Sequence, residues 1–198
     1  HVPHTRDDLR NAVIHSCNPY FYKVMQRVVN AGEGNTKFER AALGLDDWRE
    51  RVMAFGFGTN LGGRLPGTSK GSVPDSEYYD GIYGRRRWDF GTVYSIAIGE
   101  GELLTTPLQM ANLAAILANR GWYRMPHFIH AVGLEGKPLG LGGRVDTGVD
   151  SIYFEPVIDA MRQVVEDPTG TARRARLDGI AVCGKTGTVQ DEPRKDHS

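Results

Sequence analysis

Cysteine is scarce in this sequence, and its scarcity excludes two common ways of stabilising a small protein. The 198 residues contain only Cys17 and Cys183, which are too few for a disulfide scaffold and lack the paired spacing of a zinc site. His127 and His130 come closest to a metal pair, but they lack the helical spacing and the neighbouring glutamate of a zinc enzyme. We therefore expect no metal and no cofactor.

A charge excess of either sign is also missing. Lysine and arginine together number 24, and aspartate and glutamate together also number 24. The chain therefore has no general positive field to hold nucleic acid or anionic lipid, and we expect no nucleic-acid partner. Two short basic runs, at 85–87 and at 173–176, are local exceptions that we interpret as solvated surface.

Long apolar runs are absent as well. No stretch approaches the roughly 20 apolar residues that span a bilayer, so we expect no direct membrane contact by this chain. The sequence opens on His1 rather than on a methionine or a signal sequence, which predicts a fragment of a longer protein.

The 40% hydrophobic content is sufficient for a substantial core. Apolar periodicity and capping residues predict helices at about 19–30, 46–55, 107–120 and 151–166, with Asp46 as the N-cap of the second. Thr106, Pro107 and Gln109 supply the N-cap, first-turn proline and capping box of the third. A strand is predicted from Pro126 to Val132, and the glycine-rich stretches 56–95 and 136–148 are predicted as loops.

The segment from 180 to 190 combines a strand-like pattern with a cation. Its β-branched residues predict a strand, and Gly184 and Gly187 remove Cβ atoms that would obstruct a neighbouring backbone. An exposed strand edge of this kind can pair with an extended peptide. The side chains suited to the carboxylate of such a peptide are Lys185, Thr186 and Thr188. An ordinary strand end with a solvated lysine is the alternative.

Ser16 and Asn18 form a second candidate group. They lie directly before a predicted helix, where a hydroxyl and an amide can face one cleft. Asn18 before Pro19 also fits an ordinary helix N-cap, and Ser16 an ordinary loop hydroxyl. The two groups gain weight together, because Ser-x-x-Lys, Ser-Asp-Asn and Lys-Thr-Gly are the joint signature of penicillin-binding proteins and class A β-lactamases. Two of these three elements are present, in that order.

Longer motifs carry a more specific resemblance. They are Ile98-Gly-Glu-Gly101, Thr106-Pro-Leu-Gln-Met-Ala111, Ala118-Asn-Arg-Gly121, Gly170-Thr-Ala172 and Gly184-Lys-Thr-Gly-Thr188. With them the chain resembles, over nearly its whole length, the transpeptidase domain of class B penicillin-binding proteins, especially the penicillin-binding protein 2 group. Glu100 stands where that family usually has glutamine, and Thr68 where glutamate is common. These departures concern the subgroup more than the class.

The resemblance implies an α/β (α+β) fold of the penicillin-binding protein and serine β-lactamase type, with a helical subdomain and an antiparallel sheet that is incomplete here. Residues 1–198 would form part of one transpeptidase domain, cut after its nucleophile and before its end. The helical part would cover about 10–170, and the Lys-Thr-Gly strand about 180–190.

The nucleophile of the family is missing from this sequence. The residues three positions before the lysines are Tyr20, Gly34, Gly67, Leu134, Val182 and Glu192, so Ser-x-x-Lys does not occur. We expect the nucleophilic serine to lie upstream and the chain alone to be inactive.

The resemblance further implies a peptidoglycan D,D-transpeptidase, which performs serine-type acyl transfer on D-Ala-D-Ala stem peptides in cell-wall cross-linking and cell-shape maintenance. The implied catalytic residues are Ser16, Asn18 and Lys185, and the implied substrate-binding residues are Thr186, Gly187 and Thr188. Ser16 would relay a proton to the departing amine, and Asn18 would bind the peptide backbone. Lys185 would supply positive potential and hold Ser16. Thr188 would also contribute its N–H to the oxyanion hole.

The implied partners are peptidoglycan stem peptides, β-lactams, a membrane glycan polymerase and the elongation proteins. The implied location is the cell inner membrane, with the catalytic domain in the periplasm. Two alternatives remain open at this point. One is a D,D-carboxypeptidase or β-lactamase of the same superfamily, and the other is a β-lactam-sensing or non-catalytic D-Ala-D-Ala recognition domain.

Overall fold

Helices are the main regular secondary structure of the computed structural model, which describes residues 8–62, 67–129, 131–138 and 142–188. The α-helices are α1 (Leu9–Ile14), α2 (Asn18–Val29), α3 (Lys37–Met53), α4 (Ser76–Tyr83), α5 (Phe90–Val93), α6 (Pro107–Asn119) and α7 (Phe154–Glu166). Short 3-10 helices cover Tyr94–Ile98, Ser151–Tyr153 and Arg173–Ala175. No helix among these residues is both long enough and apolar enough to cross a membrane.

Four short strands form two antiparallel pairs. Strand β1 (Trp122–Arg124) pairs with β4 (Arg144–Asp146), and β2 (Ala131–Val132) pairs with β3 (Lys137–Pro138). The predicted strand at 126–132 is therefore placed wrongly, and the predicted loop at 136–148 contains two strands. Both errors arise because strands of two or three residues are too short to show an alternating pattern.

The chain divides into two compact units. One consists of His1–Tyr20 with Pro156–Ser198, and the other is Phe21–Glu155. Both boundaries fall inside helices, one in α2 and one in α7.

The second unit has an apolar core formed by α2 to α5 and the adjoining 3-10 helix. Its buried residues are Met25, Val29, Ala41, Leu45, Tyr79, Trp88, Val93 and Ile96. Two buried polar groups have partners there: the Tyr79 hydroxyl donates to Glu102 at 2.8 Å, and Trp88 Nε1 donates to Asp80 at 2.7 Å. The polar groups of these two buried aromatic residues therefore both have hydrogen-bond partners.

The predicted cap of the second helix is wrong. Helix α3 begins nine residues earlier, after Thr36, whose hydroxyl accepts from Glu39 N at 3.1 Å in a capping box. Asp46 lies inside α3, and its carboxylate accepts from both the backbone N and the hydroxyl of Ser76. An aspartate that bonds to another element looks like a cap in sequence alone. The predicted loop at 56–95 is also wrong, because it contains α4 and α5.

The capping residues of α6 are confirmed. Thr106 Oγ1 accepts from Gln109 N at 3.2 Å, and Gln109 Oε1 accepts from Thr106 N at 2.9 Å. Gln109 is buried, and its amide Nε2 also contacts the carbonyls of Gly56, Thr59 and Lys70 at 2.8–3.3 Å. One side chain therefore caps a helix and holds the glycine-rich segment against it. The predicted helices at 19–30 and 151–166 are confirmed as α2 and as the 3-10 turn that continues into α7.

The first unit is built from α1 and the part of α7 that starts at Pro156. Its buried apolar residues are Ala12, Val13, Ile14, Cys17, Ala160, Val164 and Val165. Arg10 donates to Asp159 at 3.0 Å, which ties the exposed side of α1 to α7. This pair is exposed, so it contributes at most about 1 kcal/mol.

The predicted strand at 180–190 is not a strand in the described residues. Residues 181–188 carry no ladder, and the only bridge of this region is the isolated one between Leu177 and Ile180. Residues 189 and 190 lie outside the described residues. A β-branched sequence becomes a strand only when another strand supplies hydrogen-bond partners, and the described chain has none beside this segment.

Candidate active site

Ser16 occupies an unusual backbone position at the end of α1. Cys17 N donates to Ala12 O at 2.9 Å, and Ser16 N donates to Val13 O at 3.3 Å. This pair of bonds is the Schellman motif, which places Ser16 at the left-handed position that normally favours glycine. Its φ is accordingly +54°. A serine there costs about 1 kcal/mol, and residues held against such a preference cluster at functional sites.

The Ser16 hydroxyl contacts a lysine that lies 169 residues later in the sequence. Lys185 Nζ donates to Ser16 Oγ at 2.8 Å, to Thr186 Oγ1 at 3.2 Å and to Thr186 O at 3.1 Å. An ammonium has three N–H donors, so each one has an acceptor. Ser16 Oγ accepts from the lysine and keeps its own proton free to donate elsewhere.

Thr171 is a member of this cluster that the sequence analysis did not assign to the site. Its hydroxyl lies 3.2 Å from Thr186 Oγ1 and donates to Ile14 O at 3.4 Å. It therefore joins the end of α1 to the Lys-Thr-Gly segment. The signal was present in the Gly170-Thr-Ala172 motif, but a motif shows only similarity and gives no contact.

The position of Lys185 resolves a geometrical difficulty of the predicted strand. In a regular strand Lys185 and Thr186 would face opposite sides. The segment is instead anchored by Gly184 N, which donates to Met161 O of α7 at 3.0 Å, and the lysine side chain folds back over its neighbour. The Lys185 side chain therefore contacts Ser16, and the Thr186 side chain contacts Thr171 beside it.

The electrostatic setting of Lys185 differs from that of a surface lysine. The residue as a whole is exposed, yet partial desolvation of the ammonium lowers the pKa of Lys185 below its ordinary value. No carboxylate is paired with it in the described chain. Among the residues that the structure describes, no acid therefore neutralises this cation.

The other predicted site residues lie near this cluster in sequence without joining its hydrogen bonds in the described chain. Asn18 is the first residue of α2 and is exposed. Thr188 is also exposed, and a Cβ added at Gly187 would meet nothing within 4 Å. The surface beside Gly187 is thus open to an approaching backbone. The functional roles of these residues stay predictions.

Other features of the first unit do not belong to this cluster. A cavity of about 540 Å³ lies between the end of α7 and residues 176–182, but neither Ser16 nor Lys185 lines it. In the parts of the chain that the structure describes, no three histidine, cysteine, aspartate or glutamate side chains are grouped to hold a metal ion. The chemistry of the cluster is that of hydroxyls around one ammonium.

Comparison with known proteins assigns the family. The family model described as penicillin binding protein transpeptidase domain matches residues 2–198. The peptidoglycan D,D-transpeptidase MrdA of Acinetobacter baumannii is 31% identical over 188 residues, which cover 92% of this chain and 25% of that protein. The chain thus spans about a quarter of the length of this curated relative.

Solved structures agree in fold. PBP2 of Helicobacter pylori, in a complex with MreC, matches with a TM-score of 0.64 and 26% identity, covering 93% of this chain and 31% of that chain. PBP3 of Mycobacterium tuberculosis, complexed with ampicillin, matches with a TM-score of 0.70 and 26% identity, covering 94% and 37%. Since the family model also spans almost the whole sequence, the chain belongs to the penicillin-binding protein transpeptidase domain family, and within it to the class B group of MrdA and PBP2.

Proposed function

We propose that the protein containing this chain is a serine-type peptidoglycan D,D-transpeptidase that cross-links stem peptides ending in D-Ala-D-Ala. The observation that carries this proposal is the 2.8 Å hydrogen bond from Lys185 Nζ to Ser16 Oγ. It joins two sequence motifs of the family signature through one contact. The name of the A. baumannii relative supports transpeptidation over the carboxypeptidase, β-lactamase and sensor alternatives.

The proposed reaction proceeds in two acyl-transfer steps. A nucleophilic serine attacks the carbonyl carbon between the two terminal D-alanines, an acyl-serine ester forms, and the terminal D-alanine leaves as the amine. The amine of a second stem peptide then attacks the ester, the new peptide bond forms, and the serine hydroxyl is restored. The chemistry needs a proton donor for each leaving group.

Ser16 and Lys185 are suited to the proton transfers. Because Lys185 donates to Ser16 Oγ, the hydroxyl proton of Ser16 can be directed to the departing amine. The positive charge of Lys185 then stabilises the oxygen as its proton leaves. We assign proton relay to Ser16 and electrostatic support to Lys185.

We assign substrate binding to the residues that follow Lys185 and to Asn18. The hydroxyls of Thr186 and Thr188 would hold the terminal carboxylate, assisted by the ammonium. The open side of Gly187 leaves room for the peptide. Asn18, exposed at the start of α2, would bind the peptide backbone, and Thr188 N would supply one donor of the oxyanion hole.

We assign the nucleophile to a serine outside these 198 residues, because Ser-x-x-Lys does not occur in them. The view that residues 1–198 are part of one domain cut at both ends likewise stays a prediction. We propose a periplasmic catalytic domain in a membrane-anchored protein. We also propose reaction with β-lactams and assembly with elongation proteins, in line with the ampicillin and MreC complexes of the related structures.

The test uses the full-length protein and a labelled penicillin. Lys185→Ala should lower the acylation rate by about 100-fold, since a positioned proton-transfer system typically contributes a factor of 10² to 10⁴. Lys23→Ala, which removes an exposed lysine of α2, is the matched control and should acylate at the wild-type rate. Near-normal acylation of Lys185→Ala would refute the assigned role.

Peptide mapping of the labelled protein gives a second readout. Mass spectrometry should place the label on a serine followed three residues later by lysine, outside residues 1–198. A label on Ser16 would make Ser16 the nucleophile and overturn the division of roles proposed above.

A further inference from the structure

Thr171 lies between two backbone contacts that fix it against α7. Ala172 N donates to Val164 O at 2.9 Å, and a Cβ added at Gly170 would lie 2.4 Å from the same carbonyl oxygen. Gly170 N also donates to Asp167 O at 2.9 Å, which closes the turn that follows α7. The backbone on both sides of Thr171 is therefore held, and its side chain reaches the site from a fixed position.

The Thr171 hydroxyl has one proton and two oxygen acceptors within reach. Ile14 O lies 3.4 Å from Thr171 Oγ1, and Thr186 Oγ1 lies 3.2 Å from it. Both distances exceed the value of about 2.7–2.8 Å that is typical of hydroxyl hydrogen bonds, so neither acceptor holds the proton strongly. Rotation of the hydroxyl can therefore move the proton from one acceptor to the other without the loss of a strong bond.

The choice between these two acceptors decides what the Thr186 hydroxyl can do. A hydroxyl oxygen donates one hydrogen bond and accepts up to two. When Thr171 donates to Ile14 O, the contact between the two threonines requires Thr186 to donate to Thr171. When Thr171 instead donates to Thr186, Thr186 Oγ1 accepts from Thr171 and from Lys185 Nζ, each at 3.2 Å. The Thr186 proton is then left for a third group.

The third group must be an acceptor, and a carboxylate suits it best. Two donors on one oxygen, one of them an ammonium, polarise the Thr186 hydroxyl and strengthen its own donation. Hydrogen bonds to an ionised acceptor are about twice as strong as those between neutral groups. The terminal carboxylate of the substrate is the ligand already assigned to Thr186 above.

We infer that Thr171 is a positioning residue, which turns its hydroxyl from Ile14 O to Thr186 Oγ1 when substrate binds and so directs the Thr186 proton to the substrate carboxylate. Thr171 acts through Thr186 and not on the substrate itself. This inference rests on the proposed function, because it adds a residue to the carboxylate site of the same enzyme.

The test measures carboxylate recognition by the full-length protein. The second-order rate constant of acylation is determined for a labelled penicillin and for the same penicillin with its carboxylate converted to the primary amide. The wild-type protein should prefer the carboxylate by at least about tenfold. Thr171→Val keeps the shape of the side chain without the hydroxyl and should lower this preference about fivefold, as for the loss of one neutral hydrogen bond. Thr171→Ser, which retains the hydroxyl, should restore it.

Thr169→Val is the matched control, because Thr169 lies in the same turn and also contacts the end of α1. Its Oγ1 lies 3.0 Å from His15 Nε2, and its proton is donated to Asp167 at 2.6 Å. Thr169→Val should therefore keep the wild-type preference, even where it slows both reactions. An equal fall of the preference in the two valine variants would show that support of α1, and not the Thr186 proton, decides recognition, and would overturn the inference.

A second background separates positioning from a general structural effect. In Thr186→Val, Thr171→Val should leave the preference unchanged, since no Thr186 proton remains to be directed. Thr171→Ala, which also lacks the hydroxyl, gives the same comparison if the valine variant does not fold.

The failures of the inference and of the proposed function are distinguishable. If the wild-type protein shows no preference, if the variants without the Thr171 hydroxyl keep it, or if they lower it equally in the Thr186→Val background, the inference is refuted and the proposed function stands. If neither reagent acylates the wild-type protein, the proposed function fails, and the inference fails with it.

Discussion

At the scale of single residues, the site depends on a serine at a backbone position that favours glycine. Ser16 has φ = +54° at the end of α1, and glycine would occupy that conformation without steric cost. The presence of a hydroxyl there is explained by its contact with Lys185 at 2.8 Å. The resemblance to the family implied that Lys185 would hold the Ser16 hydroxyl. The sequence did not predict the left-handed backbone conformation of Ser16, because a Schellman motif is usually recognised by a glycine at this position.

The direction of the Lys185 side chain also could not be predicted from the sequence. A regular strand would place the side chains of Lys185 and Thr186 on opposite faces. In the structure, the Lys185 ammonium instead folds back onto the Thr186 carbonyl and hydroxyl. Thr171 was missed for a related reason. A residue that joins the end of α1 to the Lys-Thr-Gly segment is recognisable only once both segments are placed.

The pH dependence of acylation tests the charge of Lys185. Desolvation lowers the pKa of this ammonium, so it loses its proton at a lower pH than an ordinary lysine does. In the role proposed for Lys185 the ammonium is the active form, so acylation should fall on the alkaline side, with a midpoint below the ordinary lysine value. The rate of reaction with a labelled penicillin, measured across pH in the full-length protein, shows this midpoint.

The control for this titration is Lys185→Arg, since a guanidinium stays protonated throughout the range. Its residual acylation should lack the alkaline fall, and a fall at the wild-type midpoint would assign the titration to another group. The effect of this titration on folding stability depends on pH in the opposite direction to its effect on acylation. A depressed lysine pKa means that the unfolded chain binds more protons, so this group's contribution to stability rises with pH between the folded pKa and the ordinary value.

At the scale of elements, the sequence predicted correctly the helix whose capping residues lie within one turn. Helix α6 was predicted with its cap, because Thr106, Pro107 and Gln109 act within one turn. Asp46 resembles a cap in the sequence because nothing local shows that its partner is Ser76, 30 residues away. The strand predicted at 180–190 failed for the same physical reason, since a strand requires a partner and not merely a suitable composition.

Helix α3 makes a close contact with α2 that glycine alone permits. A Cβ added at Gly44 would lie 2.1 Å from Val29 O and 2.6 Å from Val29 C. Gly44→Ala should therefore lower the free energy of unfolding by about 2 kcal/mol or more, because one of the helices must shift. Thermal unfolding of the full-length protein, followed by the helical circular-dichroism signal, measures the loss.

Gly81→Ala is the matched control, because Gly81 also lies in a helix and a Cβ there would meet nothing within 4 Å. It should be neutral or stabilising by up to about 1 kcal/mol, since alanine favours helix more than glycine does. Equal effects of the two substitutions would show that helix propensity, and not the contact with Val29, decides the outcome.

At the scale of the whole molecule, the family was recognisable from sequence because its motifs are spread over almost the entire chain. The family model matches residues 2–198, and the chain covers 25% of the length of the A. baumannii relative. The candidate site lies within one compact unit, although its residues come from both ends of the chain. That arrangement explains why Ser16 and Lys185 are 169 residues apart in sequence and 2.8 Å apart in space.

Ser16 and Lys185 are proposed to act as one catalytic pair, and a double-mutant cycle on acylation measures the coupling between them. The labelled-penicillin rate is measured for the wild-type full-length protein, Ser16→Gly, Lys185→Ala and the double variant. Glycine is chosen because it suits the left-handed backbone at this position. If the two residues act as a pair, Lys185→Ala slows acylation at least about tenfold less in the Ser16→Gly background than in the wild type. Equal slowing in both backgrounds would show that the two residues act independently and would refute the catalytic pair.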